Sequence, residues 1–165
     1  MALIDIHPHV VSDDATRFPL SPIGAHQSDW SQQRPVTYDG MIRAMDAAGV
    51  AKSAVVQASS VYAYDNRYVG DAAHAHPTRL QFVCQVDAAD RDCVQQARDW
   101  IARGAVGVRF MEPTKGSDLA WLDGPGARAV WQVSCDEGVP ISVHFFPWNR
   151  AAGLRSEERR VGKEC

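Results

Sequence analysis

An α/β fold, the N-terminal five βα-type strands of a truncated (β/α)8 TIM barrel, is predicted by three features of this 165-residue sequence. Short apolar runs alternate with segments whose apolar residues recur at helical spacing, which is the rhythm of repeated βα units. The runs are apolar on both faces, as in a parallel sheet covered by helices. Polar residues suited to chemistry end the runs: His7 and His9, Gln57, Arg109 and His144. An open doubly wound sheet shares the first two features. However, the first βα turn has no Gly-x-Gly-x-x-Gly, and no Walker lysine motif occurs. Functional residues at strand C-termini favour the barrel.

Leu3–Ile6 reads as the first strand, continued by His7 and His9. Strand side chains alternate, so both imidazoles would leave one face. Two imidazoles so placed suit a divalent metal; a surface turn about Pro8 is the other use of the pattern. Val11 to Pro35 is long and polar, the mark of a lid or binding loop, with Phe18, Leu20 and Trp30 as apolar anchors. Thr37 caps a helix in which Tyr38, Met41, Ile42, Met45 and Ala48 recur at helical spacing, and Gly49 stops it. Ser53–Ala58 is the second strand. Asp65 or Asn66 starts a second helix that ends before Pro77, and Leu80–Val86 is the third strand. Asp90 opens a third helix with Val94, Ala97 and Ile101 on one face. Val106–Met111 is the fourth strand, a helix from near Gly126 to Glu137 stops at Gly138, and Pro140–Phe145 is the fifth strand. From the second strand onward the starts lie about 26 to 34 residues apart, one βα unit each.

Composition excludes several classes. Apolar residues make up 45% and charged residues 22%, ordinary for a globular chain in water. A net charge of −3 offers no basic field for nucleic acid. No apolar run approaches the roughly 20 residues of a membrane span, and no signal peptide opens the chain. Cys84, Cys93, Cys135 and Cys165 form no C-x-x-C pair, so a reducing cytoplasm is expected. Oligomeric state is left open.

The end of the chain, Arg155-Ser-Glu-Glu-Arg-Arg-Val-Gly-Lys-Glu-Cys165, resembles the peptide encoded by a translated short-read sequencing adapter. Residues 155–165 are therefore set apart as a non-native tail, and residues 1–154 are read as a partial barrel domain. At about 30 residues per unit, roughly 100 residues of the barrel would lie beyond this chain.

Ile4-Asp-Ile-His-Pro-His9 resembles the His-x-His signature of the amidohydrolase superfamily. Met45-Asp-Ala-Ala-Gly-Val50, Val55-Val-Gln-Ala58, Asp65-Asn66 and Gly107-Val-Arg-Phe110 are similar to its amidohydrolase-related branch. Phe18-Pro-Leu-Ser-Pro22 and the stretch from Val55 to Arg67 look closest to the 2-pyrone-4,6-dicarboxylate and sugar lactonases. The resemblance implies that His7 and His9 bind a divalent metal, with zinc expected, or line the pocket where the metal has been lost. It makes His144 a third ligand, or a substrate contact as in some lactonases. It implies hydrolysis of a lactone, ester or amide, in which a metal polarises the carbonyl and a carboxylate takes a proton from water. That general-base Asp belongs to strand eight, and another His to strand six, so the catalytic base is not expected within this chain. A metal-dependent decarboxylase is the alternative, and the fragment alone is expected to be inactive.

Among the remaining residues, Arg109 offers a fork that would grip a substrate carboxylate bidentately, or close a salt bridge at the barrel mouth. Gln57 and Asn66 are candidate substrate contacts, with strand-end and helix-cap roles as the alternatives. Asp5 is expected to support the fold or His7, rather than replace the missing base. His26, His74 and His76 are assigned to loops or surface, and Trp100, Trp121 and Trp131 to packing. The partner expected is a small, carboxylated molecule.

Overall fold

The computed structural model of the chain describes residues 2–113 and 120–145; the 155–165 tail lies outside them. Five strands, β1 (Leu3–Asp5), β2 (Val50–Val56), β3 (Leu80–Gln85), β4 (Ala105–Met111) and β5 (Ile141–His144), form one sheet in the order β1-β2-β3-β4-β5. Every neighbouring pair is parallel. A doubly wound sheet would reverse its strand order partway, whereas a barrel adds each strand beside the last. The sheet curls as half of a (β/α)8 barrel, the fold expected from the sequence.

Among the described residues seven helices connect or flank the strands: α1 (Asp29–Gln33), α2 (Tyr38–Ala48), α3 (Ser59–Tyr62), α4 (Arg67–Ala75), α5 (Cys93–Ala102), α6 (Ala120–Asp123) and α7 (Pro125–Glu137). Thr37 Oγ1 accepts from the Gly40 N–H at 3.1 Å, satisfying one free donor at the start of α2. Gly49 ends that helix at φ 68°, a conformation that costs a side chain but not glycine. The third helix begins at Cys93 rather than Asp90. Asp90 lies just before it, its carboxylate accepting from Asp92 N–H at 2.8 Å and Gln96 Nε2 at 3.0 Å. A carboxylate there also favours the positive end of the helix dipole. Gly126 lets α7 approach the loop after β3; a Cβ would stand 2.2 Å from the Ala88 carbonyl oxygen.

Val55, Leu80, Phe82, Cys84, Val108 and Phe110 from the sheet join Met41, Met45, Val69, Ala72, Ala97 and Val130 from the helices in one apolar core. Trp100 meets Phe82, Trp131 meets Phe110 and Trp121 meets Phe145, all ring against ring, as packing residues should. Cys84 and Cys93 are free and buried, and burial pushes the Cys84 thiol up to about 12. Among the described residues no helix is long and apolar enough to cross a membrane.

One expectation is sharpened and one corrected. The Val11 to Pro35 loop contains a 3₁₀ turn (Ile23–Ala25) and α1. Its ends are tied by Val11 N–H to Val36 O at 2.8 Å and its middle by Ser21 N–H to Val61 O at 2.9 Å. The first strand also stops at Asp5, and His7 lies in a bend beyond it. Asp5 makes that bend, its carboxylate accepting from the His7 N–H at 3.1 Å. The chain then rejoins β2 through Val56 N–H to Pro8 O at 2.9 Å. Asp5 thus has the structural part expected of it.

Candidate active site

Parallel strands in sequential order bring their C-terminal ends to one rim. His7 and His9 follow β1, Gln57 follows β2, Gln85 ends β3, Arg109 lies near the end of β4 and His144 ends β5. The register sets Gln85 beside Arg109 and Met111 beside His144. The site is a product of the barrel topology, not of any one segment.

His9 is half-buried and the most constrained of the histidines. Its Nδ1 lies 2.8 Å from the Val56 carbonyl oxygen, which can only accept, so Nδ1 carries the proton and Nε2 is left as an acceptor. One face stacks on Trp30, with centroids 5.5 Å apart and planes inclined by 22°. The His7 ring meets His9 edge to face at 5.2 Å. Burial lowers His9 to about 4, with the charges of Arg109, His7 and His144 acting in the same direction against the Val56 hydrogen bond. His7 and His144 are exposed at the rim, and both are lowered, first by partial burial and then by Arg109. The three imidazoles and Arg109 therefore share one field, and at neutral pH the imidazoles are uncharged. That is the form in which histidine ligates a metal.

Arg109 is 4% exposed. Its Nη1 donates to the Gln57 carbonyl at 2.9 Å, its Nη2 approaches Met111 Sδ at 3.9 Å, and its buried Nε has no hydrogen-bond partner among the described residues. Burial lowers it to about 10, so it remains a cation. A buried guanidinium held by a neutral carbonyl retains charge and a donor for an anion.

Gln57 and Asn66 are tied into the scaffold by their side chains. Gln57 Nε2 donates to Ala63 O at 3.1 Å and Asp65 O at 2.8 Å. Asn66 gives one amide proton to Tyr64 O at 3.0 Å and the other to Gln85 O at 2.9 Å, while its oxygen accepts from Gln85 N–H at 2.7 Å. Asn66 does not cap α4 with its side chain; it extends β3 by mimicking a neighbouring strand. Both residues are buried and build the rim.

Sequence reasoning passed over Gln85 and Glu112. Gln85 accepts a short hydrogen bond from Ser59 and reaches Ala63 O at 3.4 Å. Glu112 is fully buried just after β4 and acts electrostatically on His144. A polar residue ending an otherwise apolar strand was the available signal for each. Among the described residues, no three of His, Cys, Asp and Glu come together in a way that would hold a metal. The donor chemistry of His7 and His9 fits half of a metal site.

The profile of the amidohydrolase family matches residues 4–155, and the chain belongs to that family. No curated protein matches at a significant level. Solved structures do. A probable 2-pyrone-4,6-dicarboxylic acid hydrolase from Acinetobacter baumannii, with citric acid bound, is 21% identical over 96% of this chain and 55% of its own, with a TM-score of 0.70. An amidohydrolase from Burkholderia multivorans with bound zinc is 18% identical over 94% and 54%, with a TM-score of 0.65. A 5-carboxyvanillate decarboxylase from Novosphingobium aromaticivorans with bound manganese is 16% identical over 93% and 55%, with a TM-score of 0.62. The chain spans about half the length of the solved structures it matches.

Proposed function

We propose that the chain supplies the N-terminal half of a cytoplasmic, lactonase-like hydrolase acting on a small carboxylated substrate. The observation that carries this reading is the buried, charged Arg109, with its unpartnered Nε, in one field with three neutral imidazoles. Arg109 would hold a substrate carboxylate, and the Gln57 carbonyl would orient its fork. His7 and His9 would supply ligands to a divalent ion, with zinc favoured, and His144, which does not form a three-ligand group with them as placed, would join only by swinging toward the ion. Such an ion, when bound, supplies Lewis-acid polarisation of the scissile carbonyl. Zinc in one structural relative and manganese in another support a divalent ion without choosing between them.

The general-base carboxylate would come from a strand beyond the five described, so this chain alone is proposed to lack turnover. A decarboxylase of the same family is the second reading, favoured by the decarboxylase among the structural relatives. The test uses the complete barrel that contains these strands, assayed on a carboxylated lactone with carbon dioxide measured in parallel. Ring opening without gas release is expected. Carbon dioxide as the product would overturn the lactonase reading, and unchanged metal content in His7→Ala and His9→Ala would overturn the ligand assignment.

A further inference from the structure

Helix α1 is five residues long, Asp-Trp-Ser-Gln-Gln, and Trp30 is its one apolar side chain. So short a helix has no stability of its own. It is held from outside. Ser31, 2% exposed, donates to Ser28 O at 2.8 Å, and Ser60 of α3 donates to Ser28 Oγ at 2.8 Å. With the ties at Val11 and Ser21, these bonds fix the whole segment against the rim. What they deliver to the site is one flat ring, laid within 22° of parallel on the His9 imidazole.

The hydrogen bond to Val56 O selects the Nδ1–H tautomer of His9 only while the ring keeps the plane that aims Nδ1 at that oxygen, and by itself it leaves the ring free to swing about the contact. A stacked indole removes this motion. Simple filling of the space would be served by any apolar side chain, whereas a parallel stack constrains the imidazole plane.

We propose that Trp30 is a positioning residue that fixes the plane of His9, so that Nε2 keeps one direction at the barrel mouth. The functional weight of this inference rests on the reading of His9 as a metal ligand; the positioning itself is a property of the metal-free chain. Groups that orient a ligating histidine typically change metal affinity by about 10- to 100-fold when lost.

The test is NMR of the metal-free 165-residue chain with 15N-labelled histidine at neutral pH, followed by zinc titration against a competing chelator. The wild type is expected to show His9 as a single Nδ1–H tautomer. Trp30→Leu, which keeps apolar bulk without a flat ring, is expected to give mixed tautomers and about tenfold weaker zinc binding. Trp30→Phe is expected to restore both. Ser60→Ala, which loosens α1 and leaves Trp30 in place, supplies a second route and is expected to shift the tautomer ratio in the same direction. A folded Trp30→Leu or Ser60→Ala chain with an unaltered tautomer and unaltered zinc affinity overturns the proposal. If the wild type binds no zinc while the tautomer still responds to Trp30, the positioning stands and the metal reading falls.

Discussion

Asn66 is buried with both amide protons and its carbonyl oxygen committed to Tyr64 and to the two backbone groups of Gln85. Removing the side chain strands these groups where water does not reach them. Asn66→Ala is expected to cost about 2–3 kcal/mol, read as a lower urea midpoint at an unchanged slope. Arg109 is buried as deeply but keeps an unpartnered donor, and so it discriminates between charge and shape. Arg109→Lys preserves the cation and loses the fork. On the proposed role of Arg109, carboxylate binding by the complete barrel should weaken in Arg109→Lys and weaken further in Arg109→Met, as seen by calorimetry. The histidines give a pH dependence with a definite sign. His9 lies at about 4 in the folded chain, against an ordinary value of 6.5, so the unfolded chain binds more protons between these values. Its contribution is fully present above about 6.5 and is lost as pH falls toward 4; His7 and His144 are shifted the same way. For the metal-free chain, the stability gap between wild type and His9→Gln should shrink across that window in urea titrations.

The turn between α3 and α4 shows how an element is shaped by residues distant in sequence. Ala63 sits at φ 47° and ψ −114°, a region that disfavours any Cβ. Its carbonyl accepts from both Gln57 and Gln85, which keep the turn in place against that strain. Ala63→Gly should relieve it and raise stability by about 1 kcal/mol, measured as a higher midpoint. Thr37→Ala should cost about 1 kcal/mol through the lost cap of α2. These two positions also mark what was legible. Thr37, the Met41 and Met45 spacing and Gly49 are local signals, so α2 could be read residue by residue. β3 and β4 were legible because they are largely buried on both faces and read as apolar runs, whereas β2 was read only from Ser53, since exposed Lys52 interrupts its start at Val50. The end of β1 was not, since it depends on the Asp5 side chain reaching the His7 N–H. Helix α1 was missed because polar ties to α3 hold it, and α6 because four residues carry no helical period. The histidines and Arg109 stood out as polar residues at strand ends, and the structure gathers them at one rim. The scaffold use of Gln57 and Asn66 emerges only when β2, β3 and the Ala63 turn meet.

Across the whole molecule the parallel sheet has two outer strands, and among the described residues β1 pairs only with β2 and β5 only with β4. A closed barrel has no edges, whereas a half-barrel offers a row of backbone donors and acceptors on each side. On β1 and just beyond it, Leu3 is 57% exposed, Ile4 60% and Ile6 73%. Alternation puts Leu3 and Ile4 on opposite sheet faces, so both faces of this edge are apolar and open, and Ile6 adds apolar surface in the bend beyond it. Such a strand invites pairing with another chain. The isolated 165-residue chain should therefore self-associate as its concentration rises, observed as increasing mass by light scattering after size exclusion. Ile4→Lys places a charge beside the open edge without touching the core, and it should shift the mass toward the monomer. The complete barrel should stay indifferent to concentration under the same conditions, because there β1 is paired and covered. A monomeric wild-type chain at every concentration would mean that something other than a neighbouring strand shields Leu3, Ile4 and Ile6.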